Sequence, residues 1–81
     1  MTHRNLLLPD LGFADQTIVV SLWLVPLGST VAQGESVVEV LCGDATVDLP
    51  SPVDGILVEQ LVEEDKTIVT GQCLGIIEET E

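Results

Sequence analysis

The side chains in this sequence that could do chemistry are few: His3, Cys42, Cys73, a single lysine at Lys66, and 14 carboxylates. A zinc site would draw on the thiols and the imidazole. Cys42 and Cys73 lie far apart, with no Cys-x-x-Cys pair or paired histidine, so no metal site is expected. A nucleophilic thiolate at Cys42 would need a neighbouring cation, and the sequence places none nearby. Both cysteines read as strand residues, and His3 as an incidental surface residue near a frayed start of the chain. Glu63-Glu64-Asp65 and Glu78-Glu79 have the right residue types for glycoside chemistry. That chemistry needs two carboxyl groups held across a cleft, whereas these lie in a turn and near the end of the sequence. They read as solvated acidic surface. Asp44, Asp48 and Asp54 do not follow the spacing of a calcium loop, and no glycine-rich turn joins a strand to a helix as a phosphate cradle. No catalytic residue is expected, and the chain is not expected to be an enzyme.

The elements that position these residues are bounded by size and charge. A chain of 81 residues makes one domain, 1–81, with a structured core of about 4–79. Its core is thin and leaves no inner ligand chamber. Two Lys/Arg against 14 Asp/Glu give a net charge of −12, which repels nucleic acid and anionic membranes. With only Arg4 and Lys66 as permanent cations, no basic stripe can be assembled. An apolar share of 46% separates the chain from disordered acidic tails. These properties favour a partner with a basic face and a monomer in isolation. Two cysteines are too few for a disulfide scaffold, and the apolar run at 6–8 is too short for a secretory signal core. The run at 18–27, interrupted by Ser21 and Pro26, is too short to span a bilayer. A cytoplasmic location is expected.

Short apolar, Val-rich stretches alternate with Gly, Pro, Asp and Ser, which predicts strands rather than helices. They are placed at 5–8, 17–24, 36–41, 46–49, 55–62 and 72–78, with very short ones at 30–31 and 67–68. Gly34 and Gly71 occupy turns that call for positive φ. Sliding the sequence on itself by 37 residues aligns Leu24-Val25 with Leu61-Val62, Thr30-Val31 with Thr67-Ile68, Gly34 with Gly71, Val37 with Leu74 and Val40 with Ile77. Two such halves can pack as a pseudo-two-fold sandwich around a shared core. Between them Cys42–Ala45 reads as a tight hairpin, with Gly43 supplying positive φ and Asp44 at an exposed tip. By composition alone, Gly43-Asp44 is simply a good turn.

Several segments carry a resemblance: Leu8-Pro9-Asp10-Leu11-Gly12; Leu24-Val25 and Gly28; Gly34-Glu35 with Val38-Glu39-Val40; and Ala45-Thr46-Val47-Asp48-Leu49-Pro50-Ser51-Pro52-Val53-Asp54-Gly55. Leu61-Val62, Gly71-Gln72 and Leu74-Gly75-Ile76-Ile77-Glu78 complete it. Together they resemble the lipoyl/biotinyl carrier domains, closest to the lipoyl domain of 2-oxo acid dehydrogenase acyltransferase components. The resemblance implies an all-β fold, a flattened barrel or sandwich of two four-stranded antiparallel sheets with internal pseudo-two-fold symmetry. In that family a lysine at the exposed hairpin, usually within Asp-Lys-Ala, forms an amide with a lipoyl or biotinyl carboxyl group.

Here the tripeptide is Gly43-Asp44-Ala45, so Asp44 stands where the resemblance places the acceptor lysine. A carboxylate cannot form that amide and is a weak nucleophile. Lys66 aligns with Ser29 under the same shift, in a side turn rather than at the tip. No cofactor, lipoyl or biotinyl, is therefore expected. The function expected is that of a degenerate lipoyl-like domain, an interaction or structural module. The alternative is a carrier whose acceptor lysine was removed by mutation. The partner implied is a dehydrogenase or acyltransferase subunit. Its contacts are expected at Phe13, Asp15 and Asp44, because the loop holding Phe13 and Asp15 runs near the tip in the resembled family. Phe13 could equally anchor that loop. Trp23 is expected to lie partly buried against a sheet face, with partner docking as the alternative.

Overall fold

Between its turn residues the chain runs in short aliphatic stretches. The computed structural model, which describes residues 2–12 and 16–80, makes each of them a strand. These are β1 (His3–Leu7), β2 (Ile18–Trp23), β3 (Thr30–Val31), β4 (Ser36–Cys42), β5 (Ala45–Pro50), β6 (Gly55–Gln60), β7 (Thr67–Ile68) and β8 (Cys73–Glu79). They form two four-stranded sheets, in the orders β1-β8-β6-β3 and β5-β4-β2-β7, and every pairing is antiparallel. The fold is thus the flattened sandwich expected from the sequence. Among the described residues no helix is long and apolar enough to cross a membrane.

The inward faces of the two sheets meet in one aliphatic core. Val20, Val37, Val38, Val40, Leu57, Leu74 and Ile77 are fully buried, and Leu6, Leu8, Ile18, Val31, Cys42, Leu49 and Ile68 complete it. In β2 and β6 burial alternates along the strand, as a sheet with one face on the core requires. Small β-branched and aliphatic side chains suffice because the two sheets lie close together.

The 37-residue repeat holds at the level of atoms. The shift carries β2 onto β6, β3 onto β7 and β4 onto β8, residue for residue. The bulge between Val20 and Leu22 reappears between Leu57 and Glu59. Loop hydrogen bonds repeat too: Leu24 N donates to Val37 O as Leu61 N does to Leu74 O, and Gly34 N donates to Ser51 O as Gly71 N does to Leu8 O. The Trp23 indole N–H donates to Val62 O at 2.9 Å, while the Gln60 side-chain amide donates to Val25 O at 3.3 Å. Each half thus sends one polar group to the other half's carbonyl. The halves differ where size must be traded. A Cβ on Gly75 would stand 3.2 Å from the Trp23 ring, and under the shift Gly75 corresponds to Val38 and Trp23 to the smaller Gln60. Trp23 is half-buried, with its ring on this sheet, as expected.

Strand 55–62, expected from the sequence, stops at Gln60. Leu61 still bonds to Leu74, but Val62 gives its carbonyl to Trp23 and turns out of the ladder. His3 is not at a frayed end. It begins β1, and its Nε2 lies 3.3 Å from a Glu78 carboxylate oxygen.

Among the described residues, one breaks a local rule. Asp65 has φ +70°, and its counterpart under the shift is Gly28, at φ +89°. Both hold the same position: Gly28 N donates to Leu57 O, and Asp65 N donates to Val20 O. Side chains other than glycine are strained there, aspartate less than most. Asp65→Gly is expected to stabilise the protein by about 0.5–1 kcal/mol in urea unfolding, since it relieves left-handed strain at a fixed turn. A loss of stability would show that the Asp65 side chain, exposed in the structure, makes a compensating contact.

Candidate functional site: the tip of the central hairpin

β4 and β5 pair from Ser36↔Pro50 through Cys42↔Ala45, leaving only Gly43 and Asp44 to turn the chain. A two-residue hairpin needs positive φ in its turn to match the strand twist. Gly43 supplies it, at φ +61°, while Asp44 is not left-handed. This is the pattern of a type II′ turn, with glycine at the first central position. Below the turn, Cys42 and Val40 point into the core and anchor the hairpin, and Asp44, Ala45 and Thr46 are exposed. The tip is therefore a rigid base carrying one projecting carboxylate.

The segment after β1 approaches this tip. Leu8 N donates to Gln72 O and Gly71 N to Leu8 O, which fix the segment against the turn before β8. The Asp10 carboxylate accepts from Gly12 N at 2.9 Å and bends the chain, and Leu11 packs on the core. Gln16 returns against the hairpin: its Oε1 lies 2.8 Å from the point where a Cβ on residue 43 would stand. Phe13 and Asp15, the other expected contacts, lie outside the described residues. Gln16 carried no signal in the sequence, because the contact joins segments far apart in the chain.

The cations lie elsewhere. Arg4 Nε donates to Glu79 at 3.0 Å, and under the shift Glu79 corresponds to Cys42, so Arg4 sits at the tip's counterpart, where Thr2 pairs with Glu79. Lys66 O accepts from Val20 N, and Val20 pairs with Val40. Its backbone is thus level with Val40, roughly 10 Å of strand short of the turn. Among the described residues no ion pair involves Asp44 or Lys66, and no group of three His, Cys, Asp or Glu side chains could hold a metal ion. Cys42 is buried and Cys73 half-buried, its Sγ 3.3 Å from Gly75 O. Glu64, from the acidic turn, accepts from Trp23 N at 2.9 Å, which gives that carboxylate a structural task.

Residues 4–77 match the sequence profile of the biotin/lipoyl family, described as "biotin-requiring enzyme". Over 70 residues the chain is 34% identical to the dihydrolipoyllysine-residue acetyltransferase component of the pyruvate dehydrogenase complex of Corynebacterium glutamicum, covering 86% of this chain and 10% of that protein. It is 34% identical over 73 residues to the succinyltransferase component of the 2-oxoglutarate dehydrogenase complex of Haemophilus influenzae, covering 90% and 18%. The chain thus spans less than a fifth of the length of these curated relatives. Among solved structures, the lipoyl domain of the 2-oxoglutarate dehydrogenase complex of Azotobacter vinelandii superposes with a TM-score of 0.76 at 21% identity, covering 95% of this chain and 98% of that one. A multi-domain long-chain acyl-CoA carboxylase superposes at 0.78 and 20% identity, with 98% of this chain and 7% of that one covered.

Proposed function

The chain belongs to the biotin/lipoyl carrier family, and from that premise we propose that it is an armless member: a carrier-fold module that docks on a 2-oxo acid dehydrogenase assembly through its tip and bears no swinging cofactor. The match is to a carrier module rather than to a catalytic domain. The observation that carries the reading is the complete, exposed hairpin tip with Asp44 at its apex. In the family, lipoyl or biotinyl groups hang from a lysine amine by an amide bond. A carboxylate offers no nitrogen for that bond, so the tip does not fit the group.

The tip also favours an armless domain over a carrier with one residue struck out. Gly43 is left-handed, and another segment's side chain fills the space beside it. The turn is built around glycine at 43, so the tip departs from the family's Asp-Lys-Ala at two positions, which supports the armless reading over a single change at residue 44. Asp44, with Phe13 and Asp15 of the neighbouring loop, forms the proposed contact set. A net charge of −12 suits a partner with a basic face and disfavours a second copy of this chain. The reading takes residues 1–81 as one domain, monomeric in isolation and working in the cytoplasm.

Binding to immobilised dehydrogenase and acyltransferase subunits of pyruvate and 2-oxoglutarate dehydrogenase complexes tests this reading. Affinity is expected to fall as salt rises, and Asp44→Ala to weaken it by about fivefold. Binding that ignores both salt and Asp44→Ala would overturn it, as would no binding at all.

A further inference from the structure

We propose that the outer face of the β5-β4-β2-β7 sheet docks a basic, aliphatic segment of another protein, seating an aliphatic side chain on Val19, Leu22 and Leu41 and an arginine between Glu39 and Asp48. The inference does not depend on what the hairpin tip binds, and its test uses no dehydrogenase subunit.

Strand register decides which side chains share this face. Val20, Val38, Val40, Cys42 and Leu49 are buried in the core, so the residues alternating with them point outward. Residues directly opposite each other in an antiparallel pair lie on the same face. Val19 stands opposite Leu41, and past the bulge Leu22 stands opposite Glu39. Across β4, Leu41 stands opposite Thr46 and Glu39 opposite Asp48. Val19 and Leu41 are half-buried, and Leu22 is 47% exposed. The face is thus an aliphatic patch bordered by two carboxylates.

The other half of the repeat is built differently at the same positions. The 37-residue shift carries Val19 to Ile56, Leu22 to Glu59, Glu39 to Ile76 and Leu41 to Glu78. Ile56 stands opposite Glu78 and Ile76 opposite Glu59, so each aliphatic residue of that face meets a carboxylate. His3 and Asn5 stand opposite Glu78 and Ile76, the places that Thr46 and Asp48 hold here. His3 Nε2 lies 3.3 Å from Glu78, and Asn5 carries no charge. The β5-β4-β2-β7 face has neither kind of relief. Val19 and Leu41 meet as an aliphatic pair, and Glu39 and Asp48 meet as like charges, which costs stability. Among the described residues no ion pair involves Glu39 or Asp48. An arginine fork can bond both carboxylates at once, while the aliphatic patch beside it takes an apolar neighbour out of water. The net charge of −12 disfavours a second copy of this chain or an anionic membrane as the occupant.

Amide NMR titration with a short capped peptide of alternating leucine and arginine tests the proposal. Saturable shifts are expected at Val19, Leu22, Glu39, Leu41 and Asp48, with a Kd of about 1 mM or tighter. Replacing the peptide's leucines by serine, or its arginines by glutamine, should weaken binding by at least about fivefold, the scale of one lost contact. Leu41→Thr and Glu39→Gln should each do the same from the protein's side. Glu59→Gln removes the same charge from the opposite face and should leave the affinity unchanged. No saturation by about 5 mM peptide, shifts spread evenly over both sheets, or equal losses from Glu39→Gln and Glu59→Gln would overturn the proposal. So would shifts of the same amides on raising protein concentration without peptide, because a second copy would then occupy the face.

Discussion

Gly55→Ala is expected to cost the fold at least about 3 kcal/mol, a large share of what holds so small a domain together. Gly55 is buried in β6 opposite Glu79. A Cβ there would press into the carbonyl oxygen of Glu78, with Ile77 Cγ2 at 2.8 Å and the Glu78 carbonyl carbon at 2.9 Å. The obstacle is the backbone of β8, the central partner strand, so no rotamer change relieves it. The counterpart of Gly55 in the first half is Ile18, a full core side chain. A change tolerated by the repeat pattern is therefore forbidden by packing. Urea unfolding should show the midpoint collapse, with Gly75→Ala, which faces Glu59 O at 2.7 Å and the Trp23 ring, second in severity. A Gly55→Ala protein within about 0.5 kcal/mol of the unaltered one would mean that β6 and β8 do not approach this closely.

Asp44→Lys is expected to convert the domain from no modification to lipoylation by a lipoate ligase at residue 44. The substitution lies at an exposed position, so its effect on stability should stay within about 0.5 kcal/mol. Net charge moves from −12 to −10, since one negative group is replaced by one positive group. What changes is chemistry: the lysine amine can attack an activated lipoyl carboxyl group, form the amide and release a proton with the activating group, and the aspartate cannot. The hairpin that would present the lysine is already in place, with Cys42 and Ala45 closing the turn. A folded Asp44→Lys protein that the ligase ignores would show that this tip does not present residue 44 as a carrier does.

The sequence revealed the architecture well because the signals were repeated. Gly34 and Gly71 fall 37 residues apart and adopt φ of +87° and +88°, and the short strands Thr30–Val31 and Thr67–Ile68 lie where alternating punctuation put them. The tip was equally legible, since a glycine followed by aspartate between two apolar strands has few other uses. What stayed hidden depends on distance. Gln16 meets Gly43 across 27 positions of sequence, and Trp23 meets Val62 and Gly75 in the other half. No periodicity encodes which glycine makes room for which ring. The strain at Asp65 was hidden for a related reason: only the hydrogen bonds it shares with Gly28 identify it as a glycine position filled by another residue. His3 was misplaced because a lone histidine near the start of a chain carries no sign of the ladder that orders it.

The central claim is that the fold is a carrier's and the tip carries nothing. Intact mass of the unaltered protein, coexpressed with a lipoate ligase and with a biotin ligase and supplied with both cofactors, tests it most directly. The mass is expected to equal that of the bare polypeptide in both cases. A lipoyl- or biotinyl-sized increment, mapped by peptide fragmentation to any residue of this chain, would contradict it.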